Sequence, residues 1–149
     1  MMNILYCGDK NIEDGLIISI LSLLKNVNVN LNIYVLTINS ERFKIQGVSD
    51  KCIYILNEKI KLINKENTIK KIDITDIFEK EIPYQNMKTR FTPCCMLRLF
   101  ADEIDELPSK ILYLDNDVIC RKNCQDFYNQ NMENYEFARF FRLLWKMVF

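Results

Sequence analysis

The residues of this chain with the clearest potential for chemistry are two aspartates, Asp115 and Asp117, which follow an apolar run over residues 111–114. The run is too short and too continuously apolar for an amphipathic helix, so it predicts a strand buried on both faces of a parallel sheet. Side chains two residues apart in a strand point the same way, and a buried pair of charges needs compensation. A divalent cation held by hard oxygen ligands would provide it. Because ligands of α/β sheets bind beyond the carboxyl ends of the strands, the pair predicts a metal-dependent ligand site there.

An Asp-x-Asp sequence alone also fits an ordinary solvated turn, since Asp and Asn are common turn residues. The preceding sequence favours the metal site. The segments 92–93, 97–100 and 107–118 together resemble the family 8 glycosyltransferases. The resemblance consists of an arginine on a helix, a short acidic link and a strand that ends in Tyr-Leu-Asp-x-Asp.

The resemblance implies an α/β fold of the GT-A type, a Rossmann-like, mostly parallel sheet flanked by helices, of which this chain would be the N-terminal part. It also implies a retaining transferase that moves a hexose from a UDP-sugar to a glycan or lipid-linked acceptor. Bacterial members of this kind build lipopolysaccharide and other cell-surface polysaccharides with galactosyl or glucosyl units. In this chain Asp115 and Asp117 would hold Mn²⁺ or Mg²⁺, Asn116 would lie near the ribose, and Arg98 near the diphosphate and sugar.

The beginning of the chain predicts a second part of the same site. Residues 3–7 form a β-prone run that ends at Gly8-Asp9, and a helix follows with Asn11 as its N-cap. The turn lacks the glycine patterns that cradle phosphates, so Asp9 is predicted to bond a base or ribose edge or to act only as a turn residue. The resemblance places the set Cys7, Gly8, Asp9 and Asn11 around the uracil, with Ile12 where the family often has an aromatic residue.

Further elements are predicted from periodicity. A strand over residues 31–36 would return in parallel and close a βαβ unit, and residues 68–74 alternate like an outer strand. Residues 50–65 favour a helix, although 53–56 could be a strand. The remaining predictions are a buried face of the first helix (Leu16, Ile20, Leu23, Leu24), an apolar repeat on the second (Ile53, Leu56, Ile60, Ile63), a weak helical segment capped by Ser40, a short turn or helix from Thr75, and a loop over 82–87.

A helix is predicted to begin at Pro93 and to stop before Pro108, with an inward face made of Met96, Leu97, Leu99, Phe100 and Ile104. Arg98 is the polar exception on this helix. It must reach solvent or find an anion, and the alternative to a donor phosphate is a salt bridge to Asp102, four residues on.

Composition limits the other classes of function. The 149 residues fit one domain, which would bury roughly two thirds of its unfolded surface. Twenty acidic and twenty basic residues, spread along the chain, give no electrostatic case for nucleic acid or an anionic membrane. No signal peptide or membrane-spanning segment is recognisable, and six cysteines are expected to be free thiols in a cytoplasmic protein. Zinc is disfavoured because the chain has no histidine and no Cys-x2-Cys pair.

The predicted organisation is a donor-binding part over residues 1–137 and an aberrant tail over 138–149. The tail is basic and aromatic and could form an amphipathic membrane or partner helix. A frameshift near residues 137–142 is the preferred hypothesis, because the codons of residues 142–148, read one nucleotide over, permit Asp-Tyr-Tyr-Gly-Lys-Trp, which resembles what bacterial members carry at this point. The family continues with further elements and with a histidine metal ligand that this chain lacks. Sequencing the gene tests it. Two rival readings are an inactive fragment or interaction module and, less favoured, a phosphatase with an aspartyl nucleophile.

Overall fold

The computed structural model describes residues 1–81, 93–133 and 135. The predicted loop over 82–87 and the predicted aberrant tail over 138–149 lie outside these residues. The described chain alternates strands and helices, with two 3₁₀ segments. In order the elements are β1 (Met2–Cys7), a 3₁₀ turn (Lys10–Ile12), α1 (Glu13–Asn26), β2 (Leu31–Thr37), α2 (Asp50–Ile63), β3 (Thr68–Asp73), α3 (Thr75–Glu81), a long 3₁₀ helix (Pro93–Glu103), β4 (Leu112–Tyr113) and α4 (Gln125–Tyr128).

The described strands form one sheet in the order β3-β2-β1-β4, and every described pairing is parallel. Residues 2–7 of β1 pair with 31–36 of β2, and residues 32–37 of β2 pair with 68–73 of β3. The predicted parallel βαβ unit and the outer strand are therefore confirmed. Strands β1 and β2 are nearly continuous apolar runs because both of their faces are covered.

Two apolar cores lie on opposite faces of the sheet, because alternate side chains of each strand point to opposite sides. Met2, Ile4 and Tyr6 of β1 pack with α1 and α2. Leu5 of β1 instead joins the core made with α3 and the long 3₁₀ helix. Helices therefore flank the sheet on both faces, as predicted.

The first helix begins one residue later than predicted, and Asn11 is not its N-cap. The Asp9 carboxylate accepts a hydrogen bond from the Asn11 backbone N–H at 2.9 Å and so caps the short 3₁₀ turn, after which α1 starts at Glu13. An aspartate readily closes such a turn on the backbone two residues ahead. Three of the four predicted inward leucine and isoleucine residues of α1 are buried, and Leu24 is half-buried.

Residues 50–63 form a helix rather than a strand, and the side chain of Ser49 caps it by accepting from the Cys52 N–H at 3.2 Å. Its buried stripe is Cys52, Leu56 and Ile60, spaced four residues apart. Ile63, the last residue of the predicted apolar repeat, is 59% exposed because it lies off this stripe. The helical segment predicted after Ser40 is wrong: Ser40 Oγ accepts from the Phe43 N–H at 3.3 Å and closes a turn instead.

The helix predicted from Pro93 is present but has 3₁₀ geometry. Three residues per turn place every third side chain on one face. Cys94, Leu97 and Phe100 accordingly form its buried face, whereas Leu99, predicted to face inward, is 66% exposed.

Strand β4 is shorter and less buried than predicted. Only Leu112 and Tyr113 pair with β1, and the residues of 111–114 are half-buried rather than covered on both faces. Among the described strands, β4 has a partner on one side only, which explains the partial burial. The side chain of Asn3 fixes its start by donating to Lys110 O at 3.0 Å and to the Tyr128 hydroxyl at 3.1 Å. No helix in the described part of the chain is long and apolar enough to span a membrane.

Candidate functional site

A cleft of about 250 Å³ lies where the carboxyl ends of β1 and β4 meet. Parallel strands bring their carboxyl ends to the same edge of a sheet, which is where ligands of α/β proteins bind. The lining residues come from the end of β1 and the following turn (Cys7, Gly8, Asp9, Asn11, Ile12), from the long 3₁₀ helix (Cys94, Cys95), and from β4 and the turn after it (Tyr113, Asp115, Asn116).

Six of the eight residues predicted for the donor site line this one cleft, namely Cys7, Gly8, Asp9, Asn11, Asp115 and Asn116. The first four and the last two are separated by about a hundred residues in the sequence, so the fold brings them together. Arg98 and Asp117 do not line it. Arg98 contacts the cleft wall through Tyr113 and Asp115, and Asp117 is exposed in the turn that follows β4.

The two aspartates lie in a turn rather than on a strand. Strand β4 ends at Tyr113, and the Val118 N–H donates to Asp115 O at 3.1 Å, which closes a β-turn over residues 115–118. The prediction that strand alternation aligns Asp115 with Asp117 is therefore wrong. Both residues are exposed, so the prediction that they form a buried charged pair is wrong as well. We name residues 115–118 the aspartate turn.

The Asp115 carboxylate has two neighbours on the cleft wall. The Tyr113 hydroxyl donates a hydrogen bond to Asp115 Oδ1 at 2.6 Å and accepts one from Arg98 Nη1 at 3.2 Å. Arg98 Nη1 also lies 3.8 Å from Asp115 Oδ1 and its guanidinium carbon 5.2 Å from the centre of the Tyr113 ring. The ion pair of Arg98 is therefore with Asp115 and not with Asp102, the alternative partner.

The protonation of this group follows from its contacts. Burial, together with the hydrogen bond to Asp115, raises the pKa of Tyr113 well above its ordinary value. The hydrogen bond to Tyr113 raises the pKa of Arg98. At neutral pH the phenol therefore keeps its proton for Asp115, and Arg98 remains a cation.

Helix α1 forms the platform of the aspartate turn. A Cβ at Gly15 would lie 2.8 Å from both the backbone oxygen and the side-chain Nδ2 of Asn116, so only a glycine admits this approach. About two and three helical turns further on, Ser22 Oγ accepts from the Cys120 N–H and Asn26 Nδ2 donates to Cys120 O, each at 2.8 Å. Sequence reasoning missed Gly15, although a glycine inside an apolar helical repeat is a signal of close packing.

The opposite wall holds Asp9 and Asn11 together, since the Asn11 side-chain Nδ2 donates to Asp9 Oδ2 at 3.2 Å. Two of the thiols that line the cleft are Cys7, which the sequence predicts for the site, and Cys94, which it does not. Burial, and then the Asp9 charge, raises the pKa of Cys94 to about 12, and burial raises the pKa of Cys7 to about 12. Both thiols are therefore neutral at physiological pH. Ile12 covers Gly8, whose Cβ would come within 2.7 Å of the Ile12 side chain.

The carboxylate oxygens of the aspartate turn are of the type that hard divalent cations prefer. Within the described ranges, no group of three or more His, Cys, Asp or Glu residues could hold a metal ion by itself. Mg²⁺ and similar ions commonly take only one or two carboxylates from the protein and complete their shell with waters and substrate phosphates. Asp115 and Asp117 supply that number of carboxylates.

Comparison with protein-family models identifies the family of this chain. A family model described as Glycosyl transferase family 8 matches residues 3–142. The chain belongs to glycosyltransferase family 8. A search of curated proteins found no significant match.

Solved structures agree with the fold of a family 8 glycosyltransferase. A structure of an active-site mutant of LgtC matches with a TM-score of 0.63 at 18% identity, over 88% of this chain and 43% of that chain. A structure of the galactosyltransferase LgtC in complex with donor and acceptor sugar analogs matches with a TM-score of 0.62 at 18% identity, over the same shares. This family 8 chain has the GT-A fold and spans less than half the length of these relatives.

Proposed function

We propose that residues 1–137 of this family 8 chain form the donor-binding part of a metal-dependent, retaining hexosyltransferase. The donor would be a UDP-sugar, and the acceptor a glycan or lipid-linked sugar of a cell-surface polysaccharide. One observation carries the proposal: the turn after β1, with Asp9 and Asn11, and the turn after β4, with Asp115 and Asn116, line the same cleft. Such an edge offers a nucleoside contact on one wall and a diphosphate contact on the other.

We call the part of the cleft lined by the end of β1 and the turn after it the β1 wall. Its side chains suit the nucleoside. The Asp9 carboxylate would accept hydrogen bonds from a base or ribose edge, and its bonds from Asn11 hold it in place. Ile12 adds an apolar surface beside it. Cys7 and Cys94 are neutral thiols, so they add no charge that would repel the diphosphate.

We call the part of the cleft lined by β4 and the turn after it the β4 wall. The side chains in and beside it suit the diphosphate. Asp115 and Asp117 would hold Mn²⁺ or Mg²⁺, and the bound ion would take up negative charge on the diphosphate as the glycosyl bond breaks. Arg98 is a permanent cation beside Asp115 and would contact the phosphates or orient the sugar. Asn116, held against Gly15, would face the ribose.

None of the six cysteines is in a disulfide, which supports the proposed cytoplasmic location.

Calorimetric titration of the 149-residue chain with UDP, with and without Mn²⁺, tests this proposal. We expect binding that needs Mn²⁺ and falls at least about tenfold in Asp115→Asn, because the variant loses a charged oxygen ligand. The matched control is Asp126→Asn, at an exposed position on α4 outside the cleft, which should bind like the wild type.

Other results would favour the rival functions. The absence of any UDP binding would favour a non-catalytic module. Release of phosphate from phosphorylated substrates without UDP, abolished in Asp115→Asn, would favour a phosphatase with an aspartyl nucleophile. UDP binding that is equally tight in Asp115→Asn would contradict the assigned metal site.

A further inference from the structure

The hydroxyl group of Tyr113 lies between the charged side chains of Asp115 and Arg98. The oxygen of Tyr113 donates to Asp115 Oδ1 at 2.6 Å and accepts from Arg98 Nη1 at 3.2 Å. The direct distance between Arg98 Nη1 and Asp115 Oδ1 is longer, at 3.8 Å. The phenol therefore lies between a cation and an anion and takes a hydrogen bond from one while giving one to the other.

The backbone fixes this phenol more firmly than either charged side chain. Tyr113 belongs to β4 and is in register with Leu5 of β1, and its ring packs against the apolar core on that face of the sheet. The side chains of Arg98 and Asp115 are more open, at 42% and 60% exposure. The strand therefore sets the position of the hydroxyl, and the hydroxyl restricts the two more exposed charges.

Without the hydroxyl, the two charges, now 3.8 Å apart, would be free to close into a directly hydrogen-bonded pair. A guanidinium and a carboxylate favour a close ion pair with charge-assisted hydrogen bonds. Such a pair would neutralise Asp115 and occupy the oxygens that a cation requires. A phenol that holds Oδ1 by a hydrogen bond instead leaves Oδ2 available and the carboxylate charged.

We propose that Tyr113 is a positioning residue that keeps Asp115 available to a divalent cation and holds Arg98 beside it. This inference rests on the proposed metal-dependent donor site. It adds a residue outside the Asp-x-Asp sequence to the set that determines metal affinity. Outer-shell hydrogen bonds to metal-ligating carboxylates commonly change metal affinity by about tenfold to a hundredfold.

Two measurements on Tyr113→Phe test the inference, because phenylalanine keeps the ring, its packing and its contact with Arg98. Electron paramagnetic resonance titration with Mn²⁺ alone should show about tenfold weaker binding than the wild type. Nitrogen-15 spectra of the metal-free protein should show faster hydrogen exchange and rotation at the Arg98 guanidinium. The control is Tyr54→Phe, at a 66% exposed position on α2, which should change neither.

The outcomes separate this inference from the proposed function. Wild-type Mn²⁺ binding that is unchanged in Tyr113→Phe overturns the inference and leaves the donor site standing. No Mn²⁺ binding by the wild type, with or without UDP, contradicts the proposed function, and the Arg98 spectra then decide whether Tyr113 holds the guanidinium. Arg98 signals identical in Tyr113→Phe and the wild type overturn the positioning role in either case.

Discussion

At the scale of single residues, the types that carry the site could be predicted and their orientations could not. Asp9, Asn11, Asp115 and Asn116 were all predicted for the donor site, and all line the cleft. Asp115 and Asp117 do not follow strand alternation, because the chain leaves β4 at Tyr113 and a turn does not keep strand geometry. Tyr113 was missed because its role depends on Arg98, which comes from a different element.

The buried thiols give a prediction about stability at alkaline pH. A thiol whose pKa is raised in the folded state stays protonated where the unfolded chain already ionises. For Cys94, with a folded pKa of about 12, the unfolded thiol loses its proton from about pH 9, so the unfolded state binds fewer protons and gains stability. Cys7, with a pKa of about 12, and Cys124, with a pKa of about 11, act in the same direction.

We therefore expect the free energy of unfolding to fall steadily as the pH rises from 9 towards 11. Urea denaturation at a series of pH values measures it. Cys94→Ala removes one ionisable group that is buried at 8% exposure, so its stability should fall less steeply over the same range. Equal slopes for Cys94→Ala and the wild type would contradict the assigned burial of this thiol.

At the scale of elements, periodicity predicted that α1, α2 and the strands exist. It was less accurate about which of their side chains are buried. The long 3₁₀ helix shows why. Over eleven residues, a repeat of three and a repeat of 3.6 select many of the same positions, so Leu97 and Phe100 fit either geometry. Only the repeat of three brings Cys94 onto the same face, whereas either repeat places Leu99 away from it. The contact between α1 and the aspartate turn, made through Gly15, depends on tertiary packing that periodicity does not contain.

The substitution Gly15→Ala tests whether α1 positions the aspartate turn. Alanine should stabilise a helix by about 0.5–1 kcal/mol relative to glycine. Its Cβ would lie 2.8 Å from the Asn116 backbone oxygen, so the turn must move away from the helix. We expect Mn²⁺-dependent UDP binding to weaken at least about tenfold while far-UV circular dichroism retains the helical signal.

The matched control for Gly15→Ala is Ile18→Ala, which also raises helix propensity but at a 54% exposed position on α1. It should bind UDP and Mn²⁺ like the wild type. If calorimetry gave Gly15→Ala the same affinity as this control, the turn would not depend on the close approach of α1.

At the scale of the whole molecule, the fold follows from continuous apolar strands joined by amphipathic helices, which predict a parallel sheet with two cores. The structure confirms the parallel sheet, and β1 and β2 contribute side chains to both cores. The sequence could not show that β4 pairs over only two residues, because an apolar run of four residues does not reveal which strands lie beside that run. Short pairing leaves the position of the aspartate turn to side-chain anchors such as Asn3, Tyr128 and Asn26.

The most direct test of the account is a crystal structure of the chain with UDP and Mn²⁺, with diffraction recorded at the manganese absorption edge. We expect one anomalous peak at the aspartate turn, within about 2.0–2.3 Å of an Asp115 oxygen and shared with the diphosphate. We also expect the uracil beside Asp9 in the same cleft. A manganese peak elsewhere, or UDP bound outside the cleft between the ends of β1 and β4, would contradict the proposed donor site.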